Sequence, residues 1–462
     1  MPPIFALSWR GRRKSFSMYQ DTIAAISTPL GEGGIGIVRL SGGDALAIAQ
    51  KLFDRRLSNR RLVYGHIIDP ETGEVVDEVL ASYMAAPHTY TREDIVEINC
   101  HGGPLTLQRV LGLALRYGAR MANPGEFTLR AFLNGRIDLA QAESVLDVVR
   151  AKTAASLRVA VHGLGGRLSQ TLKAVRSELM GVLAYLTVRI DFPEDEVEER
   201  GIIPPLERAR QAIGELIASA DQGMVYRQGV RTAIVGRRNV GKSSLLNRLL
   251  GQSRAIVTPI PGTTRDTLEE VVNLKGVPFV LIDTAGIAQS KNLVESLGVE
   301  RSRRAIAEAD FVLLVVDASA PLRASDKEIM ALVSDKEVLV VANKCDLPRR
   351  AILNHLPWPV VSTSALTGEG IDELEQRMVA SVLGGKVVTS DALLVSNPRH
   401  KACLERAQSH LEQALSSIQA QVPDDFVTID LTAALSALGE ITGETVSDEL
   451  LETIFSNFCV GK

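Results

Sequence analysis

The central part of the chain contains the segment Gly236-Arg-Arg-Asn-Val-Gly241-Lys242-Ser243. It matches the pattern G-x-x-x-x-G-K-[ST], in which backbone N–H groups close around phosphates at the N-terminus of a helix. An apolar segment, Thr232 to Val235, precedes it as a strand, and a helical segment from Ser244 follows it. In this motif the lysine reaches the β- and γ-phosphates and the serine hydroxyl holds Mg²⁺. The sequence therefore predicts a nucleoside triphosphate site.

Two motifs that contact the γ-phosphate and Mg²⁺ follow in order. Gly262-Thr263-Thr264-Arg265-Asp266 comes first, and Thr264 is the natural second hydroxyl on Mg²⁺, in a loop whose order depends on the γ-phosphate. Asp283-Thr284-Ala285-Gly286 then ends an apolar strand. Asp283 suits an outer-sphere position on Mg²⁺, and the Gly286 N–H can meet the γ-phosphate.

Two further motifs select the base. Asn343-Lys344-Cys345-Asp346 follows an apolar strand, and a carboxylate at Asp346 can accept both the N1–H and the N2–H of guanine. Adenine offers neither in that arrangement, so the wrong base would leave buried polar groups unpaired. Ser364-Ala365 follows the last strand and can offer backbone N–H to the guanine O6. Five motifs in this order predict a GTPase that uses GTP as its substrate.

The pattern of apolar and polar residues along the chain indicates three kinds of domain. Strands alternate with helices from Arg231 to about Val382, which is typical of a doubly wound α/β domain. Short apolar runs between Asp21 and Gly135 indicate an α+β domain, and helical spacing dominates elsewhere. The predicted fold is a multidomain α/β protein with a Ras-like P-loop GTPase domain inserted into a discontinuous α-helical domain. The expected boundaries are 1–20 for a leader, 21–136 for the N-terminal α+β domain, 137–228 and 384–462 for the two helical segments, and 229–383 for the G domain.

Composition excludes several classes of protein. Hydrophobic residues make up 45% and charged residues 23%, which excludes disorder. The net charge is −4, so any RNA contact must come from local patches. The 4 cysteines form no Cys-x-x-Cys pair, which favours reduced thiols and a cytoplasmic location over a zinc site. The longest apolar stretches are far short of the roughly 18 residues that span a bilayer, so no membrane association is predicted.

The first 20 residues are basic and contain no acidic residue before Asp21. They lack the apolar core of a secretory signal, although their composition is compatible with a transit peptide. We expect a disordered tail, or a start placed upstream of a true start at Met18.

The glutamine that orients the attacking water in Ras-like enzymes is missing. It stands just after the Asp-x-x-Gly motif in those enzymes, and Ile287 occupies that place here. Hydrolysis is therefore negligible without help, or other groups supply it. Positive charge must also offset the charge that develops between the β- and γ-phosphates.

Three segments together resemble one family. Asn239 in the phosphate loop, Gly262 to Asp266, and the terminal Phe458-Cys459-Val460-Gly461-Lys462 are similar to the MnmE (TrmE) family of tRNA modification GTPases. The resemblance covers Asp21 to Lys462 and implies a potassium-activated GTPase. A cation fixed where an arginine finger would lie stabilises charge that grows in the transition state.

The resemblance implies which residues surround the nucleotide and its ions. The K⁺ ligands carried over are Asn239, Thr258, Ile260 and Thr263, whose amide, carbonyl and hydroxyl oxygens suit a large monovalent cation. The contacts are expected from two runs: Asn239, Val240, Gly241, Lys242, Ser243 and Ser244 in the phosphate loop, and Thr258, Pro259, Ile260, Pro261, Gly262, Thr263 and Thr264 in the first switch loop.

A glutamate in the second switch takes over from the missing glutamine in the family, acting through water. It corresponds to Glu295 as a catalytic residue, and a solvated helix carboxylate is the alternative. The family often carries a basic residue shortly after Asp-Thr-Ala-Gly, whereas Ala288-Gln289 stands here.

The resemblance also implies that the N-terminal domain dimerises and binds 5-formyl- or methylene-tetrahydrofolate. The matching positions are Arg39, Glu97, Arg136 and Lys462. A carboxylate can accept the pterin's N–H donors, while basic groups meet the glutamyl tail or the formyl oxygen. Arg136 stands where a lysine occurs elsewhere, so the charge is kept with a different geometry. Ordinary strand-end charges are the alternative for Arg39 and Glu97.

Cys459 follows an apolar helix face formed by Leu450, Leu451, Ile454, Phe455 and Phe458. This face predicts that the last helix is buried and presents the tail. The resemblance implies a catalytic cysteine aimed at the folate and tRNA, and an exposed thiol with no task is the alternative.

The implied partners are a second copy in a homodimer, tRNA, and the FAD enzyme MnmG in a heterotetramer. With MnmG the family adds an aminomethyl or carboxymethylaminomethyl group at C5 of the wobble uridine. The competing function is a GTP-dependent binding switch such as a ribosome-assembly GTPase, because such proteins share Asn239-type loops and also lack the glutamine. No KH-type Gly-x-x-Gly module follows the G domain.

Overall fold

The computed structural model describes residues 21–192, 194, 198, 200–253, 270–282, 303–384 and 395–462. Its strands are β1 Ile23–Ile26, β2 Gly36–Ser41, β3 Leu62–Ile68, β4 Val75–Met84, β5 Ile95–Cys100, β6 Arg120–Met121, β7 Val230–Val235, β8 Glu270–Leu274, β9 Val277–Ile282, β10 Phe311–Asp317, β11 Glu337–Asn343 and β12 Val360–Thr363. Its helices are α1 Ala45–Leu52, α2 Pro104–Arg116, α3 Glu126–Leu133, α4 Leu139–Arg150, α5 Ala154–Leu164, α6 Arg167–Asp191, α7 Ile203–Ala218, α8 Ala220–Gln228, α9 Lys242–Ser253, α10 Ala324–Leu332, α11 Ile371–Leu383, α12 Pro398–Gln419, α13 Asp424–Thr442 and α14 Asp448–Ser456.

The chain forms two compact units. The first combines the chain up to Leu146 with Thr442–Lys462, and the second is Asp147–Ile441. The last helix and tail therefore belong to the unit of the N-terminal residues, although they come last in the sequence.

The first unit is built on a mixed sheet with the strand order β3-β4-β5-β2-β1-β6. Its pairs are antiparallel except β1 with β6, which is parallel. Alternate side chains of β5 are buried, as expected where one face of a strand meets a core. Buried residues of α1 and α2 pack on that face, among them Ile48, Leu52, Leu107 and Val110. The predicted α+β domain is confirmed, and the glycine-rich segment before Gly36 leads into a strand and not into a helix.

Helix α14 and the tail pack against the start of α3. Phe455 and Phe458 join a buried cluster with Ala131, Ile137 and Leu139. Gly125, at φ +68°, allows this approach because a Cβ there would lie 2.7 Å from the carbonyl oxygen of Phe455. The apolar face that the sequence indicates is therefore buried within this unit.

The second unit contains a sheet with the strand order β12-β11-β10-β7-β9-β8. Five strands are parallel, and every residue of β10 is buried, as expected for a strand covered on both faces. The doubly wound α/β fold is confirmed. Strand β8 was not predicted; it pairs antiparallel with β9 across a turn at Lys275 and Gly276, both at positive φ.

Helices α5 to α8, α12 and α13 form the helical part of the second unit. Thr153 links this part to the edge of the sheet, because its hydroxyl accepts a hydrogen bond from Ser156 N at 3.1 Å and donates to the Gly276 carbonyl at 2.8 Å. Ser156 in turn donates to the carbonyl of Tyr226 at 2.6 Å. Within this unit the helices and the β8–β9 turn are therefore directly hydrogen-bonded.

Candidate functional site

The phosphate loop joins β7 to α9, and two glycines give it its shape. Gly236 has φ +150° and Gly241 has φ +100°. A Cβ at Gly236 would lie 2.3 Å from the Val315 carbonyl oxygen, and one at Gly241 would lie 2.1 Å from Nδ2 of Asn343. Only glycine fits such approaches, so the motif spacing follows directly from the packing of the loop on its neighbours.

Lys242 is held inside this loop. Its ammonium group donates to the carbonyl oxygens of Gly236 at 2.7 Å and Arg237 at 2.8 Å. Burial, reinforced by the nearby charge of Arg238, lowers the pKa of Lys242. A phosphate anion beside the ammonium would offset both effects, so the loop places a cation where a triphosphate is expected.

Asn239 has the left-handed conformation, with φ +63°, and its side chain is exposed. Asparagine tolerates this conformation better than most residues. Its amide forms no hydrogen bond with any residue that the structure describes. The oxygen is therefore available to a ligand or cation.

Asn343 connects the phosphate loop to the base-binding loop. Its buried amide donates from Nδ2 to the Val240 carbonyl at 2.7 Å, and its Oδ1 accepts from Ala365 N at 3.0 Å. One side chain at the end of β11 thus fixes two segments that come from opposite ends of the G domain sequence. This contact brings together the phosphate motif and both base motifs predicted from the sequence.

The rest of the base-binding edge is also ordered by short contacts. Lys344, at φ +68°, places its ammonium 2.7 Å from Oδ2 of Asp317. Burial alone would raise the pKa of Asp317, but hydrogen bonds from Lys344 and Ser319 lower it below its usual range. Ser364 is buried and its hydroxyl accepts from Thr367 N at 3.1 Å, while Asp346 is exposed. The predicted guanine-binding carboxylate is therefore accessible.

Arg248 is a site residue that the sequence did not reveal. From α9 it donates through Nε to the Ala365 carbonyl at 3.3 Å and through Nη2 to the Leu366 carbonyl at 2.6 Å. Arginines on amphipathic helices are usually exposed to solvent, so no local sequence pattern distinguishes Arg248 from an ordinary surface residue.

Several predicted nucleotide residues lie outside the described residues. These are Thr258, Pro259, Ile260, Pro261, Gly262, Thr263, Thr264, Asp283, Thr284, Ala285, Gly286 and Glu295. Val240 is buried, Ser243 is half-buried and Ser244 is exposed at the start of α9.

In the first unit, the sheet places Arg39 beside Glu97. The two residues are cross-strand partners on β2 and β5, and the Arg39 guanidinium lies 2.7 Å from Oε1 of Glu97. Arg39 also lies over the Phe127 ring, 5.7 Å from its centroid, and donates to the Gly461 carbonyl at 3.4 Å. The structure thus brings Arg39, Glu97 and the residue before Lys462 together.

Arg136 lies elsewhere on this unit. Its guanidinium stacks 4.7 Å from the centroid of Tyr90 and donates to the Tyr90 carbonyl at 3.3 Å. No contact between the described residues joins Arg136 to Arg39, Glu97 or Lys462. Tyr90 in turn packs against the small cluster that contains Phe127.

The tail is fixed by its backbone. The Cys459 carbonyl accepts from Gly125 N and from Lys462 N, both at 3.3 Å. Gly461 has φ +94°, and a Cβ there would lie 2.4 Å from the Ile26 carbonyl oxygen. The Cys459 side chain is exposed, so the fold holds the tail in place while leaving the thiol accessible.

Comparison with known proteins identifies the family. A model described as "GTP-binding protein TrmE N-terminus" matches residues 22–136, and one described as "MnmE helical domain" matches residues 139–459. A protein from Chloroflexus aurantiacus named tRNA modification GTPase MnmE is 54% identical over 451 residues, which cover 96% of this chain and 100% of that protein. The chain belongs to the MnmE family of tRNA modification GTPases.

Other MnmE relatives cover the chain to the same extent. A protein of that name from Roseiflexus castenholzii is 52% identical over 465 residues, with 96% of this chain and 100% of the relative covered. Among solved structures, a variant of Aquifex aeolicus Era bound to GDP and AlF4⁻ is 30% identical and covers 39% of this chain and 65% of that chain, with a TM-score of 0.25.

The described part of the MnmE family member holds no cluster of three or more His, Cys, Asp or Glu residues that could bind a metal ion. Within the same residues, no helix has the length and apolar character needed to cross a membrane.

Proposed function

We propose that this protein is a potassium-activated GTPase that drives 5-(carboxymethyl)aminomethyl modification of the tRNA wobble uridine. It does so with the FAD enzyme MnmG, in a heterotetramer, and takes a one-carbon unit from a tetrahydrofolate. The observation that carries the GTPase part is the double hydrogen bond of Asn343, which joins the phosphate loop to the base-binding loop. Family membership supports the tRNA part.

Nucleotide recognition follows from residues already positioned. Lys242 is poised to exchange its two carbonyl partners for β- and γ-phosphate oxygens. Asp346 is proposed to accept the N1–H and N2–H of guanine, and the loop of Ser364 and Ala365 to offer a backbone N–H to the O6. An ATP analogue would leave the carboxylate without donors, which accounts for selectivity toward GTP.

The proposed ions fit the donors that the structure describes. The Asn239 amide oxygen is exposed at the phosphate loop, and hard oxygen donors suit K⁺. Ser243, at the start of α9, supplies the hydroxyl that holds Mg²⁺ in this motif. Thr258, Ile260, Thr263 and Thr264 are proposed to complete the two sites. When bound, K⁺ supplies positive charge between the β- and γ-phosphates as the bond between them breaks.

Glu295 is proposed to orient the water that attacks the γ-phosphorus, acting through a second water. The attack breaks the bond to the β–γ bridging oxygen and releases GDP and phosphate. Ile287, which stands where Ras-like enzymes have glutamine, contributes no hydrogen bond to this step.

The folate site is proposed on the first unit, at Arg39, Glu97 and Lys462, with Arg136 nearby. The pair Arg39–Glu97 offers a cation and a carboxylate side by side, which suits a ligand that has both an acidic tail and N–H donors. Cys459 is proposed as the catalytic thiol, because it is exposed and lies two positions before Gly461, whose carbonyl accepts a hydrogen bond from Arg39. We further propose that the first unit dimerises and that two G domains close around GTP.

Potassium dependence tests the GTPase proposal. GTP turnover by the full chain is expected to be far faster in KCl than in NaCl at equal ionic strength. Asn239→Gly removes the amide but tolerates φ +63°, so it should abolish the difference without unfolding the loop. Arg377→Ala, at an exposed position on α11, is the control. Equal rates in both salts would reject the K⁺ assignment.

Nucleoside analysis of tRNA from a deletion strain tests the second half. The modified wobble uridines are expected to disappear and to return with the intact gene. Unchanged wobble uridines would remove the modification function and leave the competing reading, a GTP-dependent binding switch.

A further inference from the structure

The loop between α1 and β3 carries a dense positive charge. Lys51 and the four arginines Arg55, Arg56, Arg60 and Arg61 are opposed by one acid, Asp54, so residues 51–61 have a formal charge of 5 − 1 = +4 in a chain of net charge −4. All four arginines are exposed. We call residues 53–61 the arginine loop.

These arginines lack the carboxylate partners that others in the same unit have. Arg39 pairs with Glu97, Arg109 with Glu74, and Arg120 with Asp21 and Glu126. No described residue forms an ion pair with any arginine of the arginine loop. Among the described residues, their side chains form one hydrogen bond, from Arg60 to the His88 carbonyl at 3.1 Å.

Two acids, Asp54 within the loop and Asp94 on the same unit, already accept hydrogen bonds from other groups. Asp54 accepts from His66 N at 2.8 Å and from His66 Nδ1 at 2.9 Å. The backbone hydrogen bond from His66 lowers the pKa of Asp54, with smaller contributions from the His66 ring and Arg55. Asp94 accepts from the Tyr83 hydroxyl at 3.1 Å and from Ala86 N at 2.8 Å. Asp54 is the one acid of the arginine loop, so its charge, which interacts with Arg55, leaves most of the positive charge of the four arginines unbalanced.

The backbone of the arginine loop is held by hydrogen bonds, although its arginine side chains are exposed. Leu57 is buried in the core of the unit, and its N–H donates to Oε1 of Gln50 at 2.9 Å. Gln50 also donates to the Arg55 carbonyl at 2.7 Å, and Arg60 N donates to the Tyr83 carbonyl at 2.7 Å. A fixed backbone lowers the ordering cost when such side chains bind a polyanion.

We propose that the arginine loop binds the phosphate backbone of tRNA. Four exposed arginines within seven positions of the sequence offer guanidinium groups to phosphate oxygens, with which arginine forms paired, charge-assisted hydrogen bonds. Contacts of this kind position an RNA without reading its sequence. The inference rests on the proposed tRNA modification function and assigns the surface that holds that substrate.

Two double variants test the proposal on the full chain. Arg55→Gln with Arg56→Gln, and Arg60→Gln with Arg61→Gln, each remove two positive charges from exposed positions. Binding of unmodified tRNA is measured by fluorescence anisotropy over a range of KCl concentrations. Each double variant is expected to bind about tenfold more weakly. The slope of log K against log[KCl] is expected to become less steep by about 1 for each phosphate contact that is lost. GTP turnover and thermal unfolding should not change.

The matched control is Arg349→Gln with Arg350→Gln, which removes the same charge from exposed positions of the second unit. It is expected to bind tRNA like the wild type. If both arginine-loop variants keep wild-type affinity and salt dependence, the proposal is wrong while tRNA modification stands. If the wild type itself does not bind tRNA in any nucleotide state, the proposed function fails first.

Discussion

Arg248 and Leu366 are joined by a hydrogen bond of 2.6 Å, in which the guanidinium donates to the carbonyl oxygen. A second bond runs to the Ala365 carbonyl, and a Cβ on Gly368 would lie 3.6 Å from Cζ of Arg248. Because Arg248 lies on the helix of the phosphate loop, it ties the base-binding loop to the element that holds the phosphates. Asn343, at the end of β11, also links these two segments.

Replacing Arg248 by methionine is expected to weaken GDP binding about tenfold, since two hydrogen bonds from a charged group are lost at a partly exposed site. The loss should fall on the contact to O6. Competition titrations are expected to show a smaller preference for GDP over 6-thio-GDP and an unchanged preference for GDP over IDP, which lacks only the amino group that meets Asp346.

Arg377→Met, on an exposed face of α11, is the control for this prediction and should leave both preferences intact. A variant that merely destabilises the domain would weaken all three nucleotides equally. Equal weakening, or no weakening, would refute the positioning of the base-binding loop by Arg248.

Asp346→Asn is expected to change the preferred base of the bound nucleotide from guanine to xanthine. The amide keeps one acceptor but presents a donor where the carboxylate accepted the N2–H, so GDP affinity should fall about 100-fold and XDP affinity should rise. Asp346 is exposed, so the fold should survive. Asp335→Asn, another exposed carboxylate of the same unit, serves as the control, and retained GDP selectivity in Asp346→Asn would exclude Asp346 from base recognition.

The sequence predicts strands and motifs well where the signal is local. The strands flanking the phosphate loop, the base motifs and the apolar face of the last helix follow from runs of apolar residues and fixed spacings. Strand β8 was missed because Glu270–Leu274 is a five-residue segment that holds one charged and one polar residue, and its antiparallel pairing with β9 is what makes it a strand. The glycine of its two-residue turn, Lys275-Gly276, is the local feature that could have revealed it, because such hairpin turns require positive φ.

Contacts between residues that are far apart in the sequence could not be predicted from such local signals. The Gly461 carbonyl accepts from Arg39 across 422 positions of sequence, and Arg248 reaches Leu366 across 118. Arg130 is 1% exposed on a helix where a charged residue would normally face solvent, because Asp21, Glu93 and Glu126 surround it. Such contacts depend on the topology of the fold, which cannot be predicted from local sequence patterns.

The buried carboxylate of Glu126 is expected to make stability depend on pH. Burial alone would raise the pKa of Glu126, but hydrogen bonds from Arg120, Asn123 N and Arg130 lower it below its usual value. Since the pKa is lower in the folded than in the unfolded state, the stabilisation is present above the unfolded value of about 4.3 and is lost as the pH falls through the folded value.

Glu126→Gln should therefore be less stable than the wild type at pH 7, by about 3 kcal/mol in the free energy of unfolding, because it removes a buried carboxylate that pairs with both Arg120 and Arg130. The difference should narrow below about pH 4. Circular dichroism melts from pH 7 to pH 3 measure this. Glu452→Gln, at an exposed position of the same unit, should match the wild type, and a difference that stays constant with pH would contradict the charge-based account.

Gly461→Ala is expected to displace the tail. The residue has φ +94°, and the new Cβ would lie 2.4 Å from the Ile26 carbonyl oxygen. Because that oxygen belongs to the backbone, it cannot move aside as a flexible side chain could, and the clash must displace the tail. The Gly461 carbonyl would then leave Arg39, its partner at 3.4 Å. If the tail belongs to the folate site, calorimetric titration should show weaker binding of 5-formyl-tetrahydrofolate, with unchanged GTP turnover.

Gly112→Ala is the matched control for the tail, because nothing lies within 4 Å of the Cβ that it would add to helix α2. It should bind the folate like the wild type. A chain shortened by Lys462 alone separates the two contributions: if it loses affinity while Gly461→Ala does not, the terminal charge and not the Arg39 contact serves the ligand. Wild-type folate affinity in both tail variants would place the folate site away from the tail, and Arg39 and Glu97 would then be a cross-strand ion pair of the sheet.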